Sequence, residues 1–174
     1  MINFDNLTNY SQEIISSASA LMNAKHNTQI EPEHIMMAMI QDNGISRDYL
    51  NELKLLNQNF INSVTKAITD FPTVSGVQNT QQLFMSNNTV ALLDLAEEAS
   101  KELKDDFISI EDILLAMTRL ENSNIKKMLA DNRVTSNTVL NITNKVDKLK
   151  TWNVKHYKLT SLISIINCYY KIRH

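Results

Sequence analysis

Glycine and proline are almost missing from this sequence: Gly44, Gly76, Pro32 and Pro72 are the only ones among 174 residues. Two glycines 32 residues apart cannot form the glycine-rich phosphate loop of a nucleotide-hydrolysing enzyme. One cysteine, Cys168, permits no internal disulfide and fits a reducing compartment. No apolar run reaches the roughly 20 residues that a membrane-spanning helix needs. The amino terminus, Met1 to Tyr10, is polar and carries Asp5, unlike a secretory signal. No Gly-x-Ser-x-Gly elbow surrounds any serine, and His26 and His34 form no His-Glu-x-x-His pattern. These absences predict a soluble, cytoplasmic, non-enzymatic chain that holds no cofactor and no metal and does not engage a membrane.

What remains is rich in Leu, Met, Ala, Lys, Glu and Gln, a helical composition. The formal charge is −2, yet residues 151 to 174 hold Lys155, Lys158, Lys171 and Arg173 and no acid, so residues 1 to 150 carry about −6. A mildly acidic body argues against nucleic acid as a partner.

The stretch Ile30-Glu31-Pro32-Glu33-His34-Ile35-Met36-Met37-Ala38-Met39 returns in altered form as Ile108-Ser109-Ile110-Glu111-Asp112-Ile113-Leu114-Leu115-Ala116-Met117, 78 residues later. Pro32 suits the first position of a helix, where its missing N–H costs nothing. Ser109 suits a cap answered by Asp112 in a capping box. The repeat extends outward, because Leu92, Leu93 and Ala96 follow Ile14, Ile15 and Ala18 at the same offset, as Ile142 and Val146 follow Val64 and Ile68. A duplicated unit of this kind fixes the architecture.

Apolar spacing and caps predict a first helix from Thr8 or Asn9 to Lys25 and a buried second helix from Glu31 to Ile40. Gly44 is expected to take a left-handed conformation after it. Ser46 and Asn57 are expected to cap a third and a fourth helix. Residues 71–88 form the connection, with a turn of helix around Gln82 to Met85, and Thr89 opens the second unit. Ser123 and Ser136 are expected to cap the last two helices. The predicted fold is all-α, about eight helices in two pseudo-symmetric four-helix halves, with repeat one at about 8–70 and repeat two at about 89–148. The basic, apolar tail, 149–174, follows nothing in the repeat and is read as weakly structured, as an extra helix or as an interaction segment.

Thr8, the segment Ile30 to Ile35, the connection Phe71-Pro72-Thr73-Val74-Ser75-Gly76 and the segment Asp105-Asp106-Phe107-Ile108-Ser109-Ile110-Glu111 resemble, in order and spacing, the amino-terminal domain of Clp-type AAA+ chaperones. Within that family they are most similar to the ClpB disaggregase branch. The resemblance covers about 1–148 as a Clp-N substrate-recognition domain. It implies a double helical repeat that catches exposed hydrophobic segments of unfolded or aggregated polypeptide and passes them to ATP-driven ring modules. ATP and Mg belong to those modules, which this chain lacks; in isolation a monomer is expected. Other Clp-type branches imply an alternative, a docking module for an adaptor or helical protein partner.

By position, the resemblance matches Thr8, Asp105 and Glu111 to the polar edge of a substrate groove and Ile14 and Leu95 to its apolar wall. Each polar residue also has a structural reading. Thr8 suits a helix cap, Asp105 a turn, and Glu111, like Glu33, the favourable end of a helix dipole. Ala99 and Asp112 depart from the family, which often carries larger apolar side chains there. Met22, Met36, Met37, Met39, Met117 and Met128 fit core filling better than an adaptable surface.

Overall fold

The computed structural model describes residues 3–75 and 83–155. Cys168, the apolar run of the tail, Gly76 and Gln82 lie outside them. A 3-10 turn over Phe4–Asn6 leads into α1 (Asn9–Ala24), α2 (Pro32–Gln41), α3 (Ile45–Glu52) and α4 (Gln58–Asp70). The second half repeats them as α5 (Asn87–Leu103), α6 (Ile110–Arg119), α7 (Asn124–Asp131) and α8 (Ser136–Lys155). The described residues are therefore all-α, with eight α-helices, and three of the four helix pairs start at the same 78-residue offset.

The helix starts follow their caps. Thr8 Oγ1 accepts from the Ser11 N–H at 3.1 Å and Ser86 Oγ from the Thr89 N–H at 3.1 Å, the same device at equivalent positions. The second unit thus opens at Asn87, and Thr89 lies one turn inside it. Ser136 is the first residue of α8, with Thr135 before it as the cap, because the Thr138 N–H points to Thr135 Oγ1. Pro32 holds the first helical position and Ser109 pairs with Asp112 in a capping box, as expected. Both α1 and α5 end at a left-handed residue, His26 at φ 55° and Lys104 at φ 59°, which breaks the helix without glycine.

Gly44 departs from its expected role. Its φ is −101°, and α3 begins at Ile45 directly after it, so Ser46 is buried inside the helix. Glycine is favoured there by contact: a Cβ would lie 2.9 Å from Asp42 Oδ2 and 3.1 Å from Tyr10 Oη, so these side chains would have to shift. The Tyr10 phenol donates to Asp42 and accepts from the Ser46 N–H, pinning α1 to the α2–α3 turn.

Helices α2 and α6 form the centre. Every residue from Pro32 to Ile40 and from Ile110 to Thr118 is buried, and Met36, Met39 and Met117 are sealed from solvent. The methionines of these helices fill the core. Around them pack α1, α3 and α4 in the first half and α5, α7 and α8 in the second, while α4 against α7 and α2 against α5 join the halves.

Two short bridges also join the halves, and they are reciprocal. Leu7, which opens repeat one, pairs in parallel with Ile108 of repeat two; Met85, its equivalent, pairs in parallel with Ile30 of repeat one. Thr8 N–H donates to Ile108 O and Ser86 N–H to Ile30 O, both at 3.0 Å. Ile108 N–H donates to Asn6 O at 2.7 Å and Ile30 N–H to Phe84 O at 2.6 Å. Leu83 to Met85 is consequently extended where a turn of helix was expected, since its backbone groups bond to the other half.

Candidate functional site

The bridge between Leu7 and Ile108 decides which of the candidate residues meet. Thr8 bonds through its backbone to Ile108, which lies midway in sequence between Asp105 and Glu111, so Thr8 meets the segment that carries the other two polar candidates. Thr8 is half-buried and donates its hydroxyl proton to Ser11 Oγ at 2.8 Å. Asp105 is half-buried on the turn after Lys104, its N–H closing that turn on Ser100 O at 2.8 Å, and its side chain is engaged. Glu111 is 3 % exposed and accepts from the Tyr49 phenol at 3.0 Å, a bond from α3 of the first half to α6 of the second.

The apolar candidates lie differently. Ile14 is 3 % exposed and belongs to the core, while Leu95 is half-buried at its margin. Phe107, between Asp105 and Ile108, is 53 % exposed, more than any other large apolar residue among those described. Its signal in the sequence is an aromatic side chain within a polar turn, which predicts contact with something outside the chain. An open cleft of about 440 Å3 runs along α1, lined by Phe4, Asn9, Gln12, Glu13, Ile15, Ser16 and Leu83. None of the five candidates lines it.

The two halves differ most at the turn before their central helices. In the first half, the Glu31 N–H donates to His34 Nδ1 at 2.9 Å, so the neutral ring carries its proton on Nε2 and donates it to Asn27 Oδ1 at 3.0 Å. Burial lowers the pKa of His34 to about 4, which keeps it in this neutral form. The connection covers this pair: Thr73 bridges to Asn27, Val74 N–H donates to His26 O at 2.9 Å, and the Phe71 ring lies 5.6 Å from that of His34.

In the second half the equivalents of Asn27 and His34 are Asp105 and Asp112. Asp112 Oδ2 accepts from the Ser109 N–H at 2.7 Å, as His34 Nδ1 does from Glu31, and from the Ser109 hydroxyl at 2.9 Å. Its other oxygen, Oδ1, has no partner although Asp112 is wholly buried. Burial raises the Asp112 pKa to about 7; the Ser109 N–H opposes the rise and the charges of Asp105 and Glu111 add to it. Glu33, the equivalent of Glu111, is likewise raised to about 7 by burial, with a contribution from Glu31.

No group of three or more His, Cys, Asp or Glu among the described residues is arranged to hold a metal ion. No helix among them is long and apolar enough to cross a membrane.

Residues 6–132 match the model of the Clp repeat (R) N-terminal domain. The chain belongs to this family. Among its relatives is the chaperone protein ClpB of Bdellovibrio bacteriovorus, 30 % identical over 131 residues, which cover 75 % of this chain and 15 % of the relative. The chain thus spans only about a seventh of the length of the curated relatives it matches. The same fold occurs in the Hsp104 N-terminal domain from Candida albicans, with a TM-score of 0.62 and 21 % identity over 77 % of this chain and 86 % of that one. It also occurs in the N-terminal domain of the ClpV1 ATPase from E. coli, with a TM-score of 0.65 and 16 % identity over 83 % of this chain and 87 % of that one. Relatives of more than one Clp branch therefore share this double repeat.

Proposed function

We propose that this Clp N-terminal domain is a non-catalytic recognition module for exposed hydrophobic segments of unfolded or aggregated polypeptide, serving a ClpB-type disaggregase whose ATP-driven ring lies outside this chain. The observation that supports the reading is the Thr8–Ile108 pairing, which ties Thr8 to the segment that carries Asp105 and the exposed ring of Phe107. Phe107 supplies apolar area that a bound segment would bury. The half-buried Thr8 and Asp105 supply the polar groups at its edge, while Glu111, buried against Tyr49, ties the halves together beneath them. Binding is weak and broad, since captured chain has to be released to a pore. The resemblance to ClpB favours this reading over the docking of a single adaptor.

Titration of the isotope-labelled chain with an unfolded model protein tests the proposal. Backbone amide shifts are expected at Thr8, at residues 105 to 111 and at Phe107. Shifts confined elsewhere, such as along the cleft on α1, overturn the site. Displacement of the unfolded protein by one specific partner, with no displacement by other unfolded chains, favours an adaptor-docking module instead.

A further inference from the structure

Asn43-Gly44 is the sole asparagine–glycine pair in the sequence, and it lies on the bend between α2 and α3. Asn43 is exposed, and the residue after it has no side chain to screen its backbone nitrogen. In such a pair that nitrogen can reach the asparagine side-chain carbonyl and close a cyclic imide. The contacts of this turn oppose the closure. Gly44 N–H donates to Asp42 Oδ2 at 2.8 Å, and the same oxygen accepts from the Tyr10 phenol of α1. Arg47 N–H donates to Gly44 O at 3.1 Å, holding the other side of the same residue. Burial, together with the neighbouring Asp42, pushes the Tyr10 pKa up, so the phenol remains a donor in mildly alkaline solution.

We infer that Asn43 is a deamidation site guarded by the Tyr10–Asp42 pair: while α1 holds the α2–α3 turn, the Gly44 nitrogen stays bonded to Asp42, and when α1 lifts away it closes on the Asn43 side chain. This modification site is separate from the recognition site proposed above. A bond forms between the Gly44 nitrogen and Asn43 Cγ, the bond from Cγ to Nδ2 breaks, and the Gly44 amide proton is made up on the leaving group, which departs as ammonia. Water then opens the imide. Opening at Cγ gives aspartate, and opening at the main-chain carbonyl gives isoaspartate, in which the chain runs through the former side chain.

The hazard and the guard have one origin. Close contact with Asp42 and Tyr10 favours glycine at position 44, which leaves a labile pair on an exposed bend, and the same two side chains hold it shut. Local opening of the turn is the event that releases it. Isoaspartate lengthens the main chain directly before α3 and adds a charge beside Asp42, so the guarding bonds do not re-form and the change is one-way. In the second half the equivalent of Gly44 is Asn122, which is exposed and followed by Ser123, the cap of α7. That asparagine–serine pair is an internal reference.

The test holds the whole chain, folded and in urea, at mildly alkaline pH. Peptide mapping by mass spectrometry reads aspartate and isoaspartate at residue 43, with heavy-oxygen water marking the opening of the imide. Conversion is expected to be at least about threefold slower in the folded chain than in urea. Tyr10→Phe should speed it about three- to tenfold, the worth of one hydrogen bond, with residue 122 unchanged. Exchange of the Gly44 amide hydrogen, followed by NMR in the unmutated chain, should be slower than in urea, a readout that needs no variant to fold. Equal rates folded and in urea, an unprotected Gly44 amide, or a Tyr10→Phe chain that converts no faster overturns the guard. So does a rise at residue 122 as large as that at residue 43, which is general unfolding, or slower conversion in Asp42→Ala, which would make Asp42 a base that assists the attack. No conversion at residue 43 even in urea overturns the site itself.

Discussion

The Tyr49 phenol donates to Glu111 Oε1 across the boundary between the halves, at 3.0 Å and out of contact with water. The two residues are 62 positions apart. Between buried groups, loss of one partner leaves the other unsatisfied, which is the costly case. Tyr49→Phe leaves the ring in place and removes only the donor. It is expected to destabilise the chain by about 1–3 kcal/mol, measured as a lower urea midpoint at unchanged slope.

Gly44 can be tested for the close approach that replaces its expected left-handed role. A methyl group at this position meets Asp42 and Tyr10, both held in place by their mutual hydrogen bond. Gly44→Ala should cost about 1–3 kcal/mol. Calorimetric melting is the measurement, and a variant as stable as the parent would show that the turn yields freely.

Lys104 carries the opposite expectation. Its left-handed backbone strains any side chain, and it is exposed. Lys104→Gly should therefore stabilise by about 0.5–1 kcal/mol, as glycine does at helix ends of this conformation. A raised melting temperature checks it.

Acid and base should act on these buried groups in opposite senses, the carboxyls Glu33 and Asp112 on one side and the His34 imidazole on the other. Asp112 and Glu33 keep their protons in the folded chain up to about pH 7, whereas the unfolded chain loses them near pH 4. Their contribution to stability is full below pH 4, falls as the pH rises and levels off above 7. His34 stays neutral in the folded chain down to about pH 4, whereas the unfolded chain binds a proton below about 6.5. Its contribution is full above that pH and is lost as the pH falls towards 4. Urea midpoints at pH 5 and pH 7.5 separate these effects: Asp112→Asn should gain on the unmutated chain as the pH rises.

Most of the helical frame can be read directly from the residues. Apolar spacing gives the faces of α1 and α4, Pro32 and Ser109 mark the starts of the buried helices, and the 78-residue echo supplies the pairing of halves. What escaped the reading depends on contacts between distant residues. Ser86, not Thr89, caps α5 because its backbone is tied to Ile30, 56 positions earlier, and that tie keeps Leu83 to Met85 extended. A bridge of two residues leaves no alternation for a strand pattern to reveal. The resemblance pointed to Asp105 and Glu111, but neither the Tyr49 bond nor the bare Oδ1 of Asp112 follows from local sequence. The nearest signal is the departure at Asp112, a second carboxylate beside Glu111 in the first turn of a buried helix.

The reciprocal bridges have a consequence for how such a chain came to be one piece. Each half lends its opening residues, Asn6 to Thr8 or Phe84 to Ser86, to the other and receives the other's in return. A half alone would have an opening segment with nothing to pair with and a site at Ile30 or Ile108 with nothing in it. Two copies of one half would satisfy both by trading segments, as swapped dimers do. The duplicated chain is the tethered form of such a dimer: its connection turns an association that would depend on concentration into one that happens within a single molecule.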